Sequence, residues 1–172
     1  MSRSPIDPIK LDKLAEVAVK VGLRLEPGQD LVMTGPSTAL PLIRKIAEHA
    51  YKAGAGVVTP IISDEEVTLA RYRHARDESF DAAAGWLYEG MATAFSRNAA
   101  RLAIAGDNPM MLAGQDPAKV SRANRANSGA YRPALEKITG TPSGTSSSSS
   151  TKTAPLAFIS ATTWTSPTAE AE

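Results

Sequence analysis

The stretch DLVMTGPSTALPLIRKIAEHAYKAGAGVVTPIIS, residues 30–63, decides the fold of this chain. It holds two short apolar runs, DLVMTG and GVVTPIIS, and apolar side chains recur at helical spacing over residues 38–53 between them. Gly54 suits the end of that helix, because glycine adopts the left-handed conformation easily. A strand, a helix and a second strand in this order indicate parallel pairing through a crossover helix.

Pro60 lies inside the second of these runs. Proline has no N–H to donate to a neighbouring strand, so it is found mainly in edge strands and at breaks. The second strand is therefore predicted to lie at an edge of the sheet or to break near Pro60.

Two helices are predicted to begin with the same pair of residues, Asp7-Pro8 and Asp116-Pro117. The aspartate caps the free N–H groups, and the proline occupies the first helical position, where a missing N–H costs nothing. The second of these helices is predicted to reach about residue 139.

Two further helix boundaries are predicted from local motifs. Gly22 suits the left-handed stop of the first helix. Ser63 and Glu66 have the spacing of a capping box, in which each side chain bonds the backbone N–H of the other residue. A helix is therefore predicted to start directly after the second strand.

The remaining pattern extends this arrangement. A helix over about residues 83–98 carries Trp86, Leu87, Met91 and Phe95, and ARLAIAGD, residues 100–107, is a third strand. Strands that alternate with helices predict an α/β fold with a small, open, mostly parallel sheet and helices on both faces.

The composition changes after Gly140. Half of residues 141–172 are serine or threonine, including the run Ser146–Ser150. Such a low-complexity segment buries too little apolar surface to offset the entropy of ordering it. We predict an α/β domain over 1–140 and a mostly disordered tail over 141–172, in which the run LAFISATTW suits one strand but has no obvious partner within the tail itself. A truncated product, a frameshifted product and a genuine short protein are all compatible with this change.

Composition excludes several classes of function. The net charge is +1, which provides no basic footprint for nucleic acid or a membrane surface. No apolar run approaches the length of a membrane span. Cysteine is absent and only two histidines are present, so thiolate chemistry is excluded and an imidazole-rich zinc site is not expected. A cytoplasmic protein is the simplest interpretation.

Polar residues follow the carboxyl ends of the predicted strands, where open α/β sheets usually bind ligands. Thr34, Gly35, Ser37 and Thr38 follow the first strand, and Asp107 follows the third. These five residues form a predicted ligand loop, in which the hydroxyl and backbone N–H groups after the first strand could hold a phosphate. A tight turn with Ser37 or Thr38 as a helix cap explains the same residues and is the commoner structure.

Two charged clusters allow other sites. Asp64, Glu65, Glu66 and Asp107 offer oxygen ligands for a hard cation, although acidic residues are also typical of a helix start. RYRHARDESF, residues 71–80, suits an anion clamp, although a solvated helix end with local ion pairs is the commoner structure.

Three longer stretches carry a resemblance to a known family. They are KLAEVAVKVGLRLEPGQDLVMTGP at 13–36, SDEEVTLARYRHARDESFDAAAGWLYEGMATAF at 63–95 and RLAIAGDNPMMLAGQDPAKVSRANRANSGAYRPALEKI at 101–138. Together they resemble the N-terminal region of the thermophilic metalloprotease family of aminopeptidases, from about Leu11 to Ile138.

The resemblance implies a cytoplasmic, homodimeric exopeptidase that removes N-terminal amino acids from peptides. It implies two divalent metal ions, which are zinc, cobalt, magnesium or manganese in different members. The metal ligands of the family lie in its C-terminal domain, and no position here matches their motifs. No catalytic residue and no metal ligand is therefore assigned, and the chain alone is predicted to bind no metal and to be inactive.

Two alternatives remain open. One is a stand-alone module that binds a small ligand at the strand-end loops. The other is a protein-interaction module that pairs with a second copy or docks onto a missing catalytic domain, because an isolated α/β domain of this kind is expected to expose apolar surface.

Overall fold

A computed structural model describes residues 7–106, 110–139 and 156–160. Its elements in chain order are α1 (Pro8–Val17), a π-helical turn (Ala18–Leu23), β1 (Leu31–Pro36), a 3-10 turn (Ser37–Ala39), α2 (Leu40–Lys52), β2 (Val58–Ser63), α3 (Glu65–His74), a 3-10 turn (Asp77–Asp81), α4 (Gly85–Ser96), β3 (Ala100–Ala105), α5 (Pro117–Thr139) and β4 (Leu156–Ser160).

The four strands form one parallel sheet in the order β2-β1-β3-β4. Leu31 is in register with Val58 on one side and with Ala100 on the other. The predicted open parallel sheet is confirmed. Pro60 lies in β2 at the edge of this sheet, as predicted.

Helices cover both faces of the sheet, which confirms the predicted architecture. Side chains alternate along β1, so Leu31 and Met33 enter one core and Val32 enters the other. The first core joins the sheet to α1, the π-helical turn and α2, and it also holds Leu102 of β3. The second core joins the sheet to α4 and α5 through Phe95 and other apolar residues.

The start of α1 follows the sequence prediction, and its end does not. The Asp7 carboxylate accepts the Ile9 N–H at 2.9 Å. The predicted stop at Gly22 is wrong, because the chain continues through a π-helical turn and adopts the left-handed conformation at Arg24, with φ of 48°. The extra turn buries Val19 and Leu23 in the first core, and this burial outweighs the local preference of glycine.

The strand β4 comes from the segment predicted to be a tail. It pairs with β3, with Arg101 in register with Leu156, and Ile159 is buried in the first core. The partner strand lies outside the tail, which is why the tail sequence by itself offers no pairing. Residues 140–155 and 161–172 lie outside the described part of the chain, so the boundary at 140 and the disorder of those residues stay predictions.

Candidate functional site

The strand-end loop predicted to hold a ligand lies where β1 meets the 3-10 turn. Gly35 is buried, and a Cβ atom placed on it would lie 3.2 Å from the Ile104 Cβ, so this glycine allows β1 to pack closely. Thr38 is exposed at the surface, and Thr34 is half-buried below the loop. The fifth predicted residue, Asp107, lies outside the described residues.

The hydroxyl of Ser37 is hydrogen-bonded to the carboxylate of Asp64, the residue that follows β2. Ser37 Oγ donates to Asp64 Oδ2 at 2.7 Å. The other oxygen of Asp64 accepts the backbone N–H groups of Glu66 and Val67 at 3.0 and 3.1 Å. Asp64 therefore caps α3 and ties it to the carboxyl end of β1.

The predicted capping box of Ser63 and Glu66 is wrong. Ser63 is the last residue of β2, and its hydroxyl donates to the Gly35 carbonyl at 3.4 Å instead of capping the helix. The cap falls one residue later because Ser63 still pairs with Pro36 in the sheet.

These contacts change the acidity of Asp64. The hydrogen bond from Ser37 and then the bond from the Val67 N–H lower the pKa of its carboxyl group, because both stabilise the ionised form. All three bonds are lost if this carboxylate is removed, so Asp64 joins the 3-10 turn after β1 to the start of α3.

We expect Asp64→Ala to lower the melting temperature by about 2–8 °C, because a helix cap and its tie to β1 disappear. Asp64→Asn is the matched control, since asparagine also caps helices but carries no charge. The folded pKa is lowered, so the contribution of the charge is present above the ordinary carboxyl pKa and is lost as pH falls through the lowered value. Thermal unfolding followed by circular dichroism between pH 2 and 7 measures this, and identical acid profiles for Asp64→Asn and the parent chain would contradict it.

The charged segment at residues 71–80 is used within the fold. The Arg71 guanidinium donates to the Ser79 and Ala82 carbonyls. Arg122 of α5 reaches the carboxylates of Asp77 and Asp81, with the Asp77 contact at 2.7 Å. These bonds anchor the 3-10 turn between α3 and α4. The ion-pair partner of Asp77 is 45 positions away in the chain, so this pair is not local to the segment.

The described residues do not fit a metal centre. Among residues 7–106, 110–139 and 156–160, no three histidine, aspartate or glutamate side chains converge so that they could hold an ion. The Asp64 oxygens already accept three hydrogen bonds, and His49 Nε2 lies 3.2 Å from Asp12 Oδ1 in a contact between α1 and α2. No step of a metal-assisted reaction is therefore assigned to this part of the chain.

Comparison with known proteins identifies the family. Residues 8–145 match the thermophilic metalloprotease (M29) family. The chain belongs to this family. The M29 match agrees with the resemblance found between Leu11 and Ile138, which is thereby confirmed.

Three M29 relatives show how much of such a protein is present. Aminopeptidase T of Thermus thermophilus is 50% identical over 129 residues, which cover 75% of this chain and 32% of the relative. Aminopeptidase T of Thermus aquaticus is 46% identical over 129 residues, with the same two coverages. Aminopeptidase 2 of Geobacillus stearothermophilus is 39% identical over 129 residues, covering 73% of this chain and 31% of the relative.

A solved structure supports the same conclusion. The structure of wild-type AmpT from Thermus thermophilus superposes with a TM-score of 0.78 and 43% identity, over 88% of this chain and 36% of that chain. The chain thus spans about a third of the length of its M29 relatives, as expected for an N-terminal portion of an aminopeptidase.

Proposed function

We propose that this chain is the N-terminal, non-catalytic α/β part of a metal-dependent aminopeptidase that releases N-terminal amino acids from peptides. One observation carries the proposal: relatives named aminopeptidases are up to 50% identical to it, and it spans about a third of their length. In this proposal two divalent ions, zinc, cobalt, magnesium or manganese, are held by residues beyond the matched third. A cytoplasmic location and a homodimer belong to the same proposal.

The surface of α3 supports docking onto the rest of such a protein. No residue of α3 is fully buried, and Val67 is 71% exposed. A helix in a finished globular domain normally buries one apolar stripe. Ile62, at the end of the neighbouring edge strand, is also exposed. We infer that α3 and the end of β2 face the catalytic part of the same protein.

In the described part of the chain, no helix is both long and apolar enough to cross a membrane.

A chimera tests this function. The matched segment of Thermus thermophilus aminopeptidase T is replaced by residues 8–139 of this chain, and hydrolysis of an aminoacyl-nitroanilide is measured with and without a chelator. We expect chelator-sensitive hydrolysis by the chimera and none by the 172-residue chain alone.

A matched pair of surface variants sharpens the test. Val67→Asp in the chimera is expected to reduce hydrolysis, because it places a charge on the proposed docking face, while Val21→Asp, on another exposed site, leaves it unchanged. Chelator-sensitive hydrolysis by the 172-residue chain alone would overturn the proposal.

A further inference from the structure

A cavity of about 320 Å³ lies between the sheet and the helices α4 and α5. Its lining combines apolar side chains from β2 and α4 with polar side chains from β1, β3 and α5. The lining residues are Thr34, Ile61, Leu87, Tyr88, Met91, Arg101, Asn127, Ser128 and Tyr131. Thr34 also belongs to the ligand loop predicted from the sequence.

Strand β3 contributes an arginine to the lining of this cavity. Arg101 is in register with Val32, which lies in the second core, so its side chain is on the α4 and α5 face of the sheet. Its Nε atom is buried and has no hydrogen-bond partner among the described residues. The guanidinium carbon lies 5.6 Å from the centre of the Tyr131 ring, a cation–π contact that helps to hold the group in place.

Helix α5 adds further polar groups. Asn127 and Ser128 precede Tyr131 by about one helical turn and therefore lie on the same face of the helix. The Tyr131 hydroxyl is buried and, within the described part of the chain, bonds to no other group. Burial raises the pKa of the Tyr131 phenol, so at neutral pH it keeps its proton and is available as a donor.

Within the described part of the chain, no carboxylate balances the charge of Arg101. Among residues 7–106, 110–139 and 156–160, no acidic side chain lines the cavity and no carboxylate forms an ion pair with Arg101. Arg122 differs, because it contacts two carboxylates. A half-buried guanidinium without a counter-charge, beside an unsatisfied phenol, is costly unless an anion completes the site.

We propose that this cavity binds a small organic monocarboxylate with an aromatic or branched aliphatic body. The carboxylate accepts bonds from Arg101 and Tyr131, and the body packs on Ile61, Leu87 and Met91. A single cation balances a monoanion but leaves a phosphate dianion partly uncompensated. A free amino acid is disfavoured, because the described residues that line the cavity include no carboxylate for its ammonium group.

Calorimetric titration of the 172-residue chain with phenylacetate tests the proposal without any variant. We expect saturable one-to-one binding, and binding of the neutral isostere phenylacetamide that is weaker by about tenfold or more. Phenylphosphonate is expected to bind less tightly than phenylacetate. Absence of saturation, equal affinity for the amide or tighter binding of the phosphonate would each overturn the proposal.

Two variants and a control test whether Arg101 and Tyr131 bind the carboxylate. Arg101→Gln is expected to weaken phenylacetate binding by about tenfold or more, and Tyr131→Phe by about threefold to tenfold. Arg44→Gln removes the same charge from an exposed position on α2, across the sheet, and is expected to bind like the parent chain. Equal effects of Arg101→Gln and Arg44→Gln would count against the site.

Methyl resonances give a readout that does not depend on a substitution at the charge. The Met91 side chain lines the cavity, whereas Met33 is buried in the core on the opposite face. Phenylacetate is expected to shift the Met91 methyl signal and leave that of Met33 in place. Saturable binding that leaves the Met91 signal unmoved would place the ligand elsewhere and refute the proposal.

Discussion

Replacing Phe80 with alanine is expected to lower the free energy of unfolding by about 3–5 kcal/mol. Phe80 has no exposed surface although it lies in a short 3-10 turn. Its ring centre is 5.2 Å from that of Tyr72, and the Lys119 amine of α5 lies 5.3 Å above it. One side chain therefore contacts α3 and α5 from the turn, and its truncation leaves a cavity that these elements refill only in part.

Urea unfolding followed by circular dichroism measures this loss. Trp86→Ala is the matched control, because it removes a larger aromatic ring that is 75% exposed. The control is expected to change the free energy of unfolding by no more than about 0.5 kcal/mol. A loss below about 1 kcal/mol for Phe80→Ala would show that the turn is not held through this ring.

Leu102→Ala is expected to cost about 2–5 kcal/mol in the same measurement. Leu102 lies in the middle of β3, which pairs with β1 on one side and with β4 on the other. Its side chain is fully buried in the first core, among residues of α1 and α2. The close packing there leaves few ways to refill the space of the lost methyl groups.

Val21→Ala is the control for this position. Val21 is 64% exposed on the π-helical turn, so the expected change is about 0.5 kcal/mol or less. Comparable losses for Leu102→Ala and Val21→Ala would contradict the placement of Leu102 in the core. A lower slope of free energy against urea in Leu102→Ala would instead indicate that unfolding is no longer two-state or that the denatured or native state has changed in compactness.

Several features encoded over a few residues were predictable from the sequence, although the Gly22 stop and the Ser63–Glu66 capping box were not. The helical spacing over residues 38–53 predicts α2, and the flanking apolar runs predict β1 and β2 as parallel strands. Pro60 predicts the edge position of β2, and Asp7 predicts the start of α1. In each case the physical cause, such as a missing N–H or a capping oxygen, lies within the same local stretch.

Features that depend on distant partners were not predictable. Asp64 caps α3 while bonded to Ser37, which is 27 positions earlier in the chain. Residues 156–160 form a strand only because β3 offers an edge beside the first core. Neither partnership leaves a periodic or spacing signal in the sequence, because each is set by how the elements pack.

One feature of the sequence indicates the cavity and was not used in the sequence predictions. Arg101 lies in ARLAIA, a strand whose other residues are all apolar. A charge within a strand that is covered on both faces needs a partner, and this requirement points to a site. Its neighbour Tyr131 is 30 positions away on α5, so the pairing itself emerges only from the fold.

Pro60 also has a consequence for behaviour at high concentration. The Val57 carbonyl accepts the Leu31 N–H, so by the alternation of strand residues Pro60 lies on the outer side of β2. A strand of a second molecule that paired with β2 there would find the pyrrolidine ring of Pro60 in place of a backbone N–H donor. We therefore expect self-association of this protein not to proceed by edge-to-edge pairing of strands at β2.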